Sequence, residues 1–171
     1  MDMAEKSKAY FESELSGIAP CTEEENVSLF FASRQGNKDA EARFIEGNLY
    51  RVYEAARYFS GTGVPHMDLV QEGSLALLIA FRSLESPSGI GPETDRAIRE
   101  AMERFAEEET NSAKASSELA RRLNLLDEQA AELCEKLDRE PTAEELADSM
   151  RMDPDDVRYL MRVALSAVKK D

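Results

Sequence analysis

The stretch from Pro65 to Leu77, PHMDLVQEGSLAL, decides the fold of this chain. Its apolar residues and those just after it recur at intervals of three and four, the spacing that lines one face of an α-helix. That face consists of Leu69, Val70, Gly73, Ala76, Leu77, Ala80, Phe81 and Leu84. Asp68, Gln71 and Glu72 lie off this face, in the first turns of the helix, so burial does not explain them. The stretch therefore predicts a helix with one buried side and one polar side.

Composition favours an all-α protein around this helix. Good helix formers such as Ala, Glu, Leu and Arg dominate, and runs of β-branched residues are few. A chain of 171 residues can bury one large core or two small ones. The 35 acidic and 21 basic residues give a formal net charge of −14. That charge argues against a protein whose whole surface binds nucleic acid, although it leaves room for a local basic patch.

Two helices are predicted before residue 39. A short amphipathic helix covers about residues 4–16 and ends before Pro20. The sequence TEEE at 22–25 is typical of a capping box, in which a threonine hydroxyl and a glutamate three residues later bond to each other's backbone amides. The second helix follows it and ends at Gly36-Asn37.

A long helical hairpin occupies residues 39–84. Its first helix runs from about 39 to 60 and ends at GTGVP, residues 61–65, where glycine suits a left-handed cap and proline stops the helix. The clearest break in the chain follows the hairpin at 85–92, which is rich in Pro, Gly and Ser. A charged helix is expected at 93–110, and the small polar residues 111–117 are interpreted as a loop or a helix start.

A small three-helix domain is predicted at 113–171, after a first domain at 1–110. Its first helix is the amphipathic segment 118–138. A second capping box at Thr142–Glu145 opens a short helix, and Asp153-Pro154 provides an N-cap and a proline at the first position of a longer one. A short helix, a tight turn and a longer helix are the layout of a helix-turn-helix.

In this order, the segments resemble bacterial RNA polymerase sigma factors of the housekeeping type. Residues 42–81, ARFIEGNLYRVYEAARYFSGTGVPHMDLVQEGSLALLIAF, resemble the central hairpin of that family's polymerase-binding domain. Residues 137–164, LDREPTAEELADSMRMDPDDVRYLMRVA, resemble the small domain that follows it. The string DLVQEG in register with an upstream EGNL and a downstream PTAEEL makes the resemblance specific, and it covers most of residues 5–165.

The resemblance implies that the hairpin binds core RNA polymerase through the clamp helices of the large subunit. The residues expected at that contact are Asn48, Asp68, Leu69, Gln71, Glu72, Ser74 and Leu75. Carboxylate and amide groups on a helical hairpin can meet a basic coiled coil, where charge complementarity guides docking. The alternative interpretation is that Asp68 only favours the helix N-terminus and its neighbours are solvated.

One stretch departs from the family's pattern. In the family, the helix after the break is rich in aromatic and basic residues, which capture and unstack promoter bases as the strands separate. Where the family would show a tyrosine and two tryptophans, this chain has Glu93, Arg96 and Ala97, and residues 93–110 carry seven acidic groups against three basic ones. Base stacking needs an aromatic face and phosphate contact needs cations. We therefore expect promoter melting to be lost or altered, with Arg96 and Arg99 as the remaining candidates for DNA contact.

The C-terminal helix pair offers a second candidate DNA contact through Arg158, Arg162, Lys169 and Lys170. However, Asp153, Asp155 and Asp156 crowd the helix start, the part of a helix-turn-helix that approaches base edges. A small packing domain with solvated arginines is therefore favoured.

A second apolar strip on the helix of residues 65–84 also has two interpretations. It consists of Leu75, Leu78 and Ile79. We expect it to be buried against the N-terminal helices, and the alternative is a contact surface for a partner or a homodimer.

No catalytic motif, phosphate loop or cofactor fingerprint accompanies these features, so no enzymatic activity, metal or cofactor is expected. His66, the only histidine, is interpreted as a turn residue, and Cys21 and Cys134 lack metal-ligand spacing. Neither a membrane-spanning run nor a signal pattern is visible, which predicts a cytoplasmic protein.

Four functions remain open. The first is a sigma-like transcription initiation factor that docks on core polymerase and handles DNA differently. The second is a sigma-like competitor or modulator that reads no promoter. The third is a helix-turn-helix DNA-binding regulator that uses only its C-terminal pair. The fourth is an interaction module that dimerises through the second apolar strip.

Overall fold

The computed structural model describes residues 3–168 and the side chains of residues 5–166. These residues form seven α-helices and no strand, which confirms the predicted all-α class: α1 Met3–Ser16, α2 Glu23–Arg34, α3 Lys38–Arg57, α4 His66–Ser83, α5 Ile90–Leu137, α6 Ala143–Met150 and α7 Pro154–Val168. One compact unit ends at Asn111 and a second begins at Ser112. Within the described range, no helix combines the length and the apolar character that crossing a bilayer requires.

The two predicted capping boxes differ in the structure. At Thr142 both bonds form, because the Glu145 amide donates to the threonine hydroxyl at 3.2 Å and the Thr142 amide donates to the Glu145 carboxylate at 2.8 Å. The Arg139 guanidinium and the Thr142 amide lower the pKa of Glu145 to about 2. At Thr22 only the hydroxyl half of the box forms, since the Glu25 carboxylate accepts from Arg43 Nε at 2.9 Å instead. That glutamate therefore ties the start of α2 to α3.

The break predicted at 85–92 is shorter than expected, and residues 111–117, interpreted as a loop or a helix start, lie in the middle of a continuous helix. Helix α5 begins at Ile90 and continues through residues 111–117. Pro92 fits because an amide in the first helical turn has no intrahelical partner to lose, and Gly89 supplies the turn with a φ of 83°. Small polar residues between two helix-forming segments stay helical because extending a helix is far easier than nucleating one.

The core of the first unit joins α2, α3, α4 and the first turns of α5. Phe44 of α3 and Phe81 of α4 stack with their ring centroids 3.9 Å apart, and Phe30 of α2 meets Phe81 edge-on. The predicted apolar face of α4 is confirmed, since its larger members are buried and its two alanines are half-buried. Ile98 and Met102 bring α5 into the same core.

Gly73 sets the closest approach in this core. A Cβ atom at this position would lie 2.2 Å from Met102 Cε and 2.8 Å from Val52 Cγ1. The methionine end could move, but the branched valine on the neighbouring helix has little freedom. Only glycine therefore allows α3 and α5 to pack against this turn of α4.

Helix α1 is held on the hairpin through Tyr53. The Phe11 and Tyr53 rings stack at 5.8 Å, the Tyr53 hydroxyl donates to the Glu12 carboxylate, and His66 meets the Tyr53 ring edge-on at 4.7 Å. Burial, with a further contribution from Glu12, raises the pKa of Tyr53 to about 12. Burial and the nearby Lys8 lower the pKa of His66. His66 was expected in a turn; it is instead the first residue of α4 and packs against α3.

The second unit has its own small core. Leu126 from α5, Leu146 from α6 and Val157 from α7 are buried together. The chain turns between α6 and α7 at Arg151, whose φ of 54° is left-handed. The predicted N-cap at Asp153 is confirmed, because its carboxylate accepts the Asp155 amide at 2.8 Å.

We predict that Gly73→Ala lowers the free energy of unfolding by about 1–3 kcal/mol, the range typical of overpacking a core. The added methyl group meets Val52 and Met102 at distances that real atoms do not occupy. Gly91→Ala is the matched control, because its Cβ would meet only Arg51 Nη2 at 3.7 Å. Urea denaturation followed by circular dichroism measures both. Equal stability of the two variants would contradict the role given to Gly73.

Candidate protein-docking surface on the helical hairpin

The predicted hairpin consists of α3, a connection at residues 58–65 and α4. Gly61 and Gly63 adopt φ values of 96° and 87° in this connection, which lets the chain reverse without strain. One side of α4 packs on α3 and α5 in the core described above. The opposite side of α4 faces solvent, and it carries the polar residues that burial did not explain.

A continuous ridge of side chains follows the exposed side of α4, and we call it the α4 face: Asp68, Gln71, Glu72, Leu75 and Ile79. Asp68 and Gln71 are exposed and Glu72 is half-buried. Leu75 and Ile79 leave 51% and 57% of their surface open to solvent. These positions are three or four residues apart, so the side chains are neighbours on the helix surface. The α4 face thus combines two carboxylates and an amide with two aliphatic groups.

Leu75 and Ile79 correct one expectation. The strip that they form with Leu78 was expected to be buried against the N-terminal helices, yet only Leu78 is partly covered. Helix α1 packs on Tyr53 and His66 instead. The strip is consequently part of the exposed surface.

The expectation that Asn48 and Leu69 contact the polymerase also needs correction, because both residues are only 1% exposed. Leu69 belongs to the hydrophobic core. Asn48 donates to Asn26 Oδ1 at 2.9 Å and to the Phe44 carbonyl at 2.8 Å. The resemblance placed these two residues at a polymerase contact, but the fold gives them the task of holding the hairpin. Ser74 is half-buried, and its hydroxyl donates to the Val70 carbonyl at 2.7 Å, within its own helix.

Arg51 extends this buried polar network from α3 to α5. Its guanidinium donates to Asn48 Oδ1 at 3.2 Å and to the Gly91 carbonyl at 2.7 Å, and it pairs with Asp95 at 2.5 Å. A buried amide oxygen and a carbonyl at the helix start are thereby satisfied by one cation. The start of α5 is fixed relative to the hairpin.

Arg34 of α2 performs the corresponding task at the end of α4. The Nη2 group of Arg34 lies within hydrogen-bonding distance of three carbonyls around the helix C-terminus, those of Phe81, Arg82 and Leu84. Its guanidinium also lies 4.7 Å from the centre of the Phe30 ring. Positive charge is favourable at a helix C-terminus. Sequence reasoning missed both arginines, since neither lies in a local motif and the backbone carbonyls that they bind in other elements are 40 or more residues away along the chain.

The two arginines proposed for DNA contact on α5 do not line one surface. Arg96 lies 3.7 Å from Glu100 and lines a groove beside the α4 face. Arg99 lines a separate cavity on the α3 side, next to Tyr58, which is 90% exposed. Both side chains are exposed, but the structure does not bring them together as a pair.

In the second unit, Arg158 is paired with acidic neighbours. Its guanidinium pairs with Glu144 and lies 2.6 Å from Asp155. These two carboxylates, Glu144 first, raise the pKa of Arg158. Arg162 is exposed, and Lys169 and Lys170 lie outside the described residues. This arrangement favours the packing interpretation of the helix pair over DNA contact.

No group of three His, Cys, Asp or Glu side chains in the described part of the chain is placed to hold a metal ion. Cys21 is buried, with its thiol 3.7 Å from the Arg43 carbonyl, and burial raises its pKa. Cys134 is exposed, and neither thiol is in a disulfide. These groups offer no alternative to the α4 face as the candidate site.

We predict that Asn48→Ala lowers the free energy of unfolding by about 1–3 kcal/mol, because it leaves buried polar partners unsatisfied. Asn26 and Arg51 both lose a hydrogen bond. Gln71→Ala on the exposed α4 face should change stability by less than about 0.5 kcal/mol. Thermal and urea denaturation compare the two variants. A stable Asn48→Ala protein would show that the amide network is dispensable.

Comparison with known proteins shows which proteins this chain resembles. The Sigma-70 region 3 family model matches residues 121–169, which include the end of α5 together with α6 and α7. RNA polymerase sigma factor SigA of Clostridium acetobutylicum is 29% identical over 157 residues, and the SigA of a Bacillus species is 27% identical over the same length. Each alignment covers 91% of this chain but 42% of the relative, so the chain spans less than half the length of these proteins. Along most of its length, the chain is therefore similar to RNA polymerase sigma factors.

Proposed function

We propose that this protein is a sigma-like transcription initiation factor that docks on core RNA polymerase through the hairpin of residues 39–84. The observation that carries the proposal is the α4 face, where Asp68 and Gln71 of DLVQEG are exposed, Glu72 is half-buried, and the apolar residues are buried in the core. The relatives, named as RNA polymerase sigma factors, support the same partner. The function would be docking, with no chemical step.

The α4 face has the composition of a small protein interface. Leu75 and Ile79 provide an exposed aliphatic patch, and Asp68, Gln71 and Glu72 adjoin it on its N-terminal side with hydrogen-bonding and acidic groups. Interfaces commonly derive most of their binding free energy from a few central contacts within a polar rim. Carboxylates at the rim favour a basic partner such as the clamp helices, and they speed its association.

The preformed shape of the hairpin supports this proposal as well. The α4 face lies on a helix whose end is fixed by Arg34 and whose neighbour α3 is fixed by the Asn48 and Arg51 network. A rigid surface loses little conformational freedom on binding, which favours affinity.

Promoter opening is proposed to be altered or absent. The exposed positions between 93 and 110 are largely acidic: Glu93, Glu100, Glu103, Glu107, Glu108 and Glu109. Residues 93–110 contain one aromatic residue, Phe105, which is half-buried and packs against the core. A surface without exposed aromatic rings and with repulsive charge gives flipped bases neither stacking nor counterions. This stretch favours a second candidate function, a competitor or modulator that occupies the sigma site without reading a promoter.

We expect the double variant Gln71→Ala/Glu72→Lys to lower affinity for core polymerase by at least about tenfold, because it removes a hydrogen-bonding group and reverses an attractive charge, and a loss of roughly 1.4 kcal/mol in binding free energy produces that change. Glu107→Lys is the control, since it changes the net charge by the same amount at an exposed position of α5. Co-purification and fluorescence anisotropy with core enzyme measure the effect. If the wild type does not bind core, or the double variant binds equally well, docking through the hairpin is wrong.

We also expect the complex of this chain with core polymerase not to bind a promoter fork whose upstream element is single-stranded. A housekeeping sigma factor with the same core enzyme serves as the positive control. The measurement is an electrophoretic shift at two salt concentrations, because phosphate contacts weaken as salt rises. Tight, sequence-selective binding by this chain would overturn our interpretation of residues 93–110. It would also exclude the second candidate function, a competitor that reads no promoter.

A further inference from the structure

An open groove runs along the first unit between α4 and the start of α5, and we call it the α4–α5 groove. It encloses about 300 Å³. Leu75 and Ile79 of the α4 face form one of its edges. The opposite edge is α5, where Glu93, Arg96 and Glu100 lie at successive turns. The groove thus begins where the α4 face ends and shares side chains with it.

Small side chains keep this groove open. Ala76 of α4 and Ala97 of α5 line it and are half-buried, and Ala101 beside them is buried. Polar groups stand at the edges rather than converging inside, as they would in a small-molecule site. A floor of methyl groups between two helices accepts the apolar ridge of a third helix, since ridges pack into such grooves.

The charges at the edges indicate the chemistry of that third helix. Arg96 and Glu100 lie 3.7 Å apart and largely neutralise each other. Glu72 and Glu93 line the groove without an ion pair among the described residues, whereas Arg104 is the single lining cation outside the Arg96 pair. With Asp68 on the adjoining α4 face, the uncompensated charge is acidic. It complements a helix that carries basic side chains beside its apolar ridge.

We propose that the α4–α5 groove seats a basic amphipathic helix of core RNA polymerase, so that α5 shares the docking surface with α4. This inference rests on the proposed function, because it takes the same partner. It assigns Glu93 and Ala97 to protein contact, and it places Arg96 on the protein side of α5 rather than on a DNA surface. The acidic start of α5, unfavourable beside DNA, becomes favourable beside a basic helix.

Two variants test the groove without touching DLVQEG. Ala97→Phe fills the groove and should lower affinity for core polymerase at least about fivefold, and Glu93→Lys should do the same by reversing an attractive charge. Their controls are Ala120→Phe, at an exposed position of α5 in the second unit, and Glu108→Lys, at an exposed position in the first. Both controls should bind as the wild type does. Circular dichroism and thermal melting confirm that all four proteins fold.

The outcomes distinguish this inference from the proposed function. Unchanged or tighter binding by both Ala97→Phe and Glu93→Lys, with binding lost in Gln71→Ala/Glu72→Lys, would overturn the groove and leave hairpin docking intact. A wild type without affinity for core would overturn both. Sedimentation of the free chain is the third measurement. If the wild type is a dimer and Ala97→Phe converts it to a monomer, the groove would be assigned to a second copy of this chain. That result would overturn the proposal that a polymerase helix occupies the groove.

Discussion

The paired amides of Asn26 and Asn48 are the constraint on which the first unit depends. Each amide group donates to the other's oxygen, at 2.9 and 3.4 Å, inside a largely apolar core. Apolar contacts tolerate sliding, but a buried amide that loses its partner destabilises the fold by about 1–3 kcal/mol. The pair therefore fixes α2 and α3 in one register. Arg51 transfers that register to α5 through the Gly91 carbonyl and Asp95.

The exposed ridge of α4 follows from this arrangement. With α3 and α5 fixed, Gly73 lets both approach one side of α4, where Val52 and Met102 leave no room for a Cβ. Burying that side turns the polar residues of DLVQEG outward, and Leu75 and Ile79 turn with them because the helix is rigid. The proposed docking surface is thus a geometric consequence of core packing, rather than a patch that could be placed independently.

Local signals predicted much of this fold. The caps at Thr142 and Asp153 need only residues within one turn, and the apolar face of α4 needs only periodicity. What could not be predicted depends on distant neighbours. The resemblance marked Asn48 and Leu69 by their place in a motif, but burial is decided by helices that pack on them from elsewhere in the chain. Periodicity also found two apolar strips on α4, and it contains no information on which strip another helix covers.

Docking and promoter opening, the two activities that the proposed function separates, would place different demands on α5. Ile98 and Met102 are buried in the core, so this part of α5 is required for folding whatever its exposed positions contain. The exposed positions make no such contribution, and carboxylates can occupy them at little cost to stability. Carboxylates are compatible with a basic protein helix but not with a phosphate backbone. In the proposed function, residues 93–110 would thus keep the scaffold that supports docking and would lack the chemistry that holds separated DNA strands.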